Sequence, residues 1–331
     1  MSTVAVMGSG SWGTAMALTL CDNDHRVTIR ARRQEICDQI NQDHRNRDYF
    51  PELALPDGLR AVTDAGEAMA DAEFVVLAIP AQSLRETLVH WPIPQNAIVV
   101  SLAKGIELGS GLRMSEVIRQ TTDVGRERIA VLSGPNLSHE IAARQPAASV
   151  VASERIETAT AVQTLFHTAT FRPYTNTDVI GCELGGASKN VIALAVGVAT
   201  GMGYGDNACA SLITRGLAEI TRLAEAMGGS PHTLAGLAGL GDLVATCSSP
   251  LSRNRTFGEE LGKGRTVDEI ARSTRQVAEG VKSCYSIKAL ADQHGVEMPI
   301  TEAVCSAIGG ELNPTDLMGT LLARPPKAER A

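Results

Sequence analysis

Aromatic residues make up only 3% of this chain, too few to build a base-stacking platform for single-stranded nucleic acid. Positive charge is also in short supply. The formal net charge is -7, so no overall field draws a nucleic-acid backbone, and an anionic ligand would need a local cluster of Lys and Arg. The 7 cysteines are an odd number and no two stand in C-x-x-C spacing, which argues against both a disulfide framework and a zinc site. They read as small buried thiols of a reducing cytoplasm. The histidines form no H-E-x-x-H pair, so no metal is expected. No charge-free run of about 20 apolar residues offers a membrane span. The first apolar run is short and broken by glycines, unlike a secretory signal, and the expected location is the cytoplasm. The longest apolar stretch, 191–200, reads as a buried helix.

What is present is ordinary globular composition, 44% hydrophobic and 20% charged, over 331 residues. That length exceeds one ordinary core, so two domains are expected. The β-branched and apolar run 3–7 fits a buried parallel strand. GSGSWGTA (8–15) follows at once, and helix formers occupy 14–20. A G-x-G-x-x-G spacing occurs by accident in many chains, but strand, glycine turn and helix in that order make it a dinucleotide site. Gly8 permits the tight turn, Gly10 lets backbone approach a pyrophosphate, and Gly13 lets the helix pack close. The helix N-terminus offers free N–H groups to phosphate.

The next strand is expected at 26–29. An NAD-type site carries an Asp or Glu about 20 residues past the motif for the ribose 2′-hydroxyl. Here Arg30-Ala31-Arg32-Arg33 stand there instead. Arginines favour a 2′-phosphate through charge-assisted bonds, so NADP(H) is the expected form, with NAD(H) also possible. Further strands are expected at 74–79, 97–101 and 129–132, with Ile79-Pro80-Ala81-Gln82, Ala103-Lys104-Gly105 and Ser133-Gly134-Pro135-Asn136 as loops at their carboxyl ends, where open α/β sheets bind ligands.

Beyond about Asp178 the strand-like runs stop and helical periods take over. The expected organisation is a dinucleotide-binding α/β Rossmann domain over 1–178 and an all-α substrate and catalytic domain over 179–331. Asp206 is expected to cap a helix with Leu212, Ile213, Leu217, Ile220, Leu223 and Met227 on its apolar face, ended by Gly228. Ser230-Pro231 reads as a helix start, Thr266 with Glu269 as a capping box, and Glu279–His294 as a helix stopped by Gly295. Lys189 shares a helix face with Ile192, Ala193 and Val196, where an unpaired ammonium is costly and its pKa falls toward neutrality. That suits a general acid or base in hydride chemistry. Asp242 lies in a small-residue turn from which it could orient a lysine or bind a substrate hydroxyl. Ser252-Arg253-Asn254-Arg255, just ahead of a helical segment, is a set of phosphate donors.

These segments, with AKGIE (103–107), SGPN (133–136), SKN (188–190), GDNACASLITRGLAEI (205–220), GLAGLGDLVATCSSPLSRN (236–254) and VAEGVK (277–282), resemble the bacterial NAD(P)-dependent glycerol-3-phosphate dehydrogenases nearly end to end. The resemblance implies reversible reduction of dihydroxyacetone phosphate to sn-glycerol 3-phosphate, feeding phospholipid synthesis. It implies cofactor contacts at Ser11, Trp12, Arg32, Arg33, Tyr49, Lys104, Ser138, Arg253, Val277 and Glu279. It implies substrate contacts at Lys104, Gly134, Asn136, Asp242, Ser252, Arg253 and Asn254, with Lys189 as the proton acceptor in oxidation. Two departures stand out. The family usually has SGPTFA or SGPSFA at 133–138 and ALKN at 187–190, where this chain has SGPNLS and ASKN. Neither removes a charged catalytic group. Two other readings stay open: a related two-domain β-hydroxy acid dehydrogenase, and a non-catalytic NADP-sensing protein. The apolar surplus of the helices is compatible with a homodimer.

Overall fold

The structure, a computed structural model, describes residues 1–273, 279–325 and 328. Eight strands form one sheet: β1 (Thr3–Met7), β2 (Arg26–Arg30), β3 (Arg60–Val62), β4 (Phe74–Leu77), β5 (Ile98–Ser101), β6 (Ile129–Ser133), β7 (Ala147–Ala152) and β8 (Phe171–Asn176), in the order β3-β2-β1-β4-β5-β6-β7-β8. Neighbours run parallel except β6 against β7, which are antiparallel. Helices cover both faces, so β4 and β6 are buried along their whole length and read as unbroken apolar runs. The chain order reverses at β1, which pairs with β2 on one side and β4 on the other. A ligand crevice opens outside the carboxyl ends of strands at such a switch point.

The sequence expectation missed β3, β7 and β8. β3 is three residues long. β8 is the sheet edge and carries Pro173, tolerated there because an edge strand need not donate every ladder bond.

Every described element after β8 is helical. The helix Val179–Gly201 runs through the centre of this half and is buried from Gly181 to Ala199. Asp178 caps it, accepting from the Gly181 N–H at 2.8 Å. It is long and apolar enough to cross a membrane, yet 89% of its apolar window lies inside the protein, as a core helix requires. It crosses Arg253–Gly262 at backbone contact. A Cβ on Gly197 would stand 2.1 Å from the Arg255 carbonyl oxygen, and one on Gly258 2.2 Å from that of Leu194. These reciprocal glycines bring residues 253–254 beside residues 189–190.

The Thr266–Glu269 capping box forms, with N–H to side-chain distances of 2.9 and 3.3 Å. Ser230 caps Pro231–Leu234, and Gly228 and Gly295 sit at positive φ just past their helices. Asp206 is not a cap. Gly205, in extended conformation, takes the N-cap position, and Asp206 is the first-turn acid that the helix dipole favours. Ser252 is itself the cap of Arg253–Gly262, so Arg253, Asn254 and Arg255 lie inside the first turn rather than ahead of the helix.

Candidate active site

A cleft of about 650 Å³ runs from the glycine loop to Lys189 and draws residues from both halves of the chain. Gly8, Gly10, Ser11, Trp12 and Gly13 line one end. Gly8 has φ +131° and a Cβ there would stand 2.4 Å from the Ala78 carbonyl oxygen; one on Gly13 would stand 2.0 Å from that of Gly8. Only glycine fits either place. A Cβ on Gly10 would meet nothing within 4 Å, so that backbone faces open space. The helix Ser11–Asp22 has no side-chain cap and no acid in its first turn. Its orphan N–H groups and positive end suit a pyrophosphate, and the cradle therefore fits a dinucleotide.

Beyond the glycines the cleft meets Arg32, Arg33 and Tyr49. Arg30 lines the cleft as well, but it is already engaged, donating through Nε to the Thr63 carbonyl at 3.1 Å and lying 5.6 Å from the Trp91 ring centroid. The acid missing after β2 is present in space: Asp48, from the loop after the helix Gln34–Asp43, forms an ion pair with Arg33. No spacing in the sequence announces it.

At the other end three ionisable groups converge. Asp242 accepts from Lys189 Nζ on Oδ1 and from Lys104 Nζ on Oδ2 at 2.6 Å. Lys104 also donates to the Gly134 carbonyl at 3.0 Å, and Lys189 to Thr246 Oγ1 at 2.8 Å. Asp242 is 1% exposed and Lys189 8%, so the pairing replaces the water both charges lost. Burial brings the Lys104 ammonium down to about 8, against the raising pull of Asp242 and with the lowering push of Lys189. Thr246 escaped the sequence reading, although it stands one helical turn after Asp242.

Ser252, Arg253, Asn254 and Glu279 complete the lining, with Asn136 and Ser138 opposite. Asn254 ties three helices: its Nδ2 donates to Asn190 Oδ1 and its Oδ1 accepts from the Gly280 N–H, both at 2.9 Å. Asn136 Nδ2 donates to Ser149 Oγ at 3.0 Å. Gly134, at φ +123°, and Asp242 stand behind the wall and reach the site through the lysines. Val277 lies outside the described residues.

The two family models for NAD-dependent glycerol-3-phosphate dehydrogenase match this chain, the N-terminal one over residues 3–159 and the C-terminal one over 178–319. The chain belongs to the NAD-dependent glycerol-3-phosphate dehydrogenase family. A glycerol-3-phosphate dehydrogenase [NAD(P)+] of Thermobifida fusca is 60% identical, the match covering 100% of this chain and 99% of that one. One from Streptomyces coelicolor is 57% identical over 98% of each. The crystal structure of glycerol-3-phosphate dehydrogenase from Coxiella burnetii superposes with a TM-score of 0.92 at 35% identity, covering 98% of this chain and 99% of that one. The α/β Rossmann-like sheet followed by a helical half is thus the architecture of this dehydrogenase family. Among the described residues no group of three or more His, Cys, Asp or Glu side chains could hold a metal, and the cysteines are free.

Proposed function

We propose that this chain is a glycerol-3-phosphate dehydrogenase [NAD(P)+], interconverting dihydroxyacetone phosphate and sn-glycerol 3-phosphate for glycerophospholipid synthesis. The observation that carries the reading is the sharing of the Asp242 carboxylate by Lys189 and Lys104 at the end of a dinucleotide-shaped cleft. When bound, the nicotinamide supplies or accepts the hydride. Lys189 gives its proton to the C2 oxygen in reduction and takes it back in oxidation. Lys104 stabilises the negative charge that develops on that oxygen. Asp242 holds both lysine side chains in place. Arg253, with the N-terminus of its helix, grips the phosphate away from the reacting carbon and so orients the ketone. Ser252 and Asn254 hold that helix start, through the Arg255 N–H at 3.3 Å and through Asn190. Asn136 borders the substrate, with Gly134 behind it and joined to Lys104, and Ser138, Tyr49 and Glu279 border the cofactor.

Arg32 and Arg33 at the adenosine end support a preference for NADP(H) over NAD(H). The change from strand to helix at Asp178 supports a boundary between a cofactor domain, 1–178, and a catalytic domain, 179–331. Seven free cysteines support a cytoplasmic location, and the partly exposed apolar residues Ile213 and Leu217 support a homodimer. The test is oxidation of NADPH by the purified protein with dihydroxyacetone phosphate, repeated with NADH and with small keto acids. Turnover of the keto acids alone would favour the hydroxy acid dehydrogenase reading. Tight NADPH binding with no turnover of any ketone would favour the sensing one.

A further inference from the structure

The dinucleotide pattern places an acid at the end of the second strand to accept from the ribose 2′-hydroxyl, and this chain has Arg32 and Arg33 there. The two arginines are not equivalent. Arg32 makes no hydrogen bond or ion pair among the described residues, whereas Arg33 is held by Asp48 and lies 3.9 Å from Glu35. Asp48, Arg32 and Arg33 all line the same end of the cleft. We infer that Asp48 sets the choice between the two forms of the cofactor: it neutralises Arg33 and accepts from the 2′-hydroxyl of NAD(H), and it competes with the 2′-phosphate of NADP(H) for Arg33.

The charges make the consequence definite. A 2′-phosphate carries close to two negative charges and gains Arg32 outright. It gains Arg33 only by drawing that guanidinium away from Asp48, and the uncovered carboxylate then stands beside the phosphate. A 2′-hydroxyl displaces nothing and finds a charged acceptor. Asp48 thus lowers affinity for the phosphorylated form and raises it for the other, so a site with two arginines stays open to both. Glu35 lies too far from Arg33 for a hydrogen bond and leaves Asp48 as its close partner.

This rests on the dinucleotide reading above, and binding separates the two. Both tryptophans of the chain, Trp12 and Trp91, line the cleft, so their fluorescence reports occupancy without turnover. Dissociation constants would be measured for NADPH, NADH, 2′,5′-ADP and 5′-AMP with the wild-type chain and Asp48→Asn. The side chain of Asp48 is 43% exposed, and the variant is expected to fold. The expected result is about three- to tenfold tighter binding of NADPH and 2′,5′-ADP, weaker binding of NADH, and a gain that shrinks with added salt. A variant that binds both forms with wild-type constants, or that loses NADPH, overturns the role of Asp48 and leaves the dinucleotide reading intact. A wild-type chain that binds none of the four overturns both.

Discussion

The carboxylate of Asp242 holds Lys189 on one oxygen and Lys104 on the other, although these residues are 53 and 138 positions away in sequence. One lysine comes from the central helix and the other from the loop after β5, so the acid joins the helical half to the carboxyl edge of the sheet. Two cations, Lys189 buried and Lys104 partly buried, near one anion leave a surplus positive charge where a ketone oxygen becomes negative, which is the electrostatic requirement of carbonyl reduction.

Removing the proton donor tests that arrangement. Lys189→Ala is expected to lower kcat by about 10²- to 10⁴-fold, the range for lost general acid–base catalysis. Steady-state kinetics on a variant with a wild-type circular dichroism spectrum measures it. A kcat close to wild type would assign the proton to another group.

Ketone reduction needs the lysines protonated, and burial has brought Lys104 down to about 8. The rate of reduction therefore falls as pH rises through about 8. Asp242 raises this pKa, so Asp242→Asn takes it further down and moves the basic limb of kcat/KM toward acid. A pH–rate profile from 6 to 10 is the measurement; a limb that stays in place would mean that another group controls it.

Arg253 is expected to act on binding rather than on chemistry. Arg253→Ala should raise KM for dihydroxyacetone phosphate by about 10- to 100-fold, the loss of one charge-assisted contact, and change kcat far less. Dihydroxyacetone, which has no phosphate, should be reduced equally poorly by both proteins. An unchanged KM would remove Arg253 from the phosphate site.

The parts legible in the sequence were those with a local cause. The glycine loop was readable because a buried strand, a positive φ and a close helix each demand glycine within a few residues. Lys189 was readable because an ammonium on an apolar helix face calls for a partner. What escaped depends on residues far apart in sequence. Nothing near Gly197 or Gly258 reveals that each receives the other's helix. Asp48 reaches Arg33 across an intervening helix. β8 hides behind Pro173, and Asp206 drew the cap assignment because Asp favours that position more than Gly205 does.

Glu219 gives a prediction about stability that is independent of catalysis. It sits on the helix Asp206–Ala226, is 3% exposed, and accepts from the Ile300 N–H at 2.7 Å and the Thr301 N–H at 3.3 Å, at the start of the helix Pro299–Ile308. Burial outweighs these bonds and raises its pKa from 4.5 to about 7. The folded chain therefore holds a proton that the unfolded chain has released between those values. The stability from the neutral acid is complete below about 4.5 and is lost as pH rises through about 7. From pH 5.5 to 8 the loss is about 2 kcal/mol for this group. Glu219→Gln keeps an oxygen for the Ile300 N–H and cannot ionise, so its stability should fall less over that interval. Urea unfolding of both proteins at the two pH values gives the difference, and parallel losses would show that Glu219 does not change charge on folding.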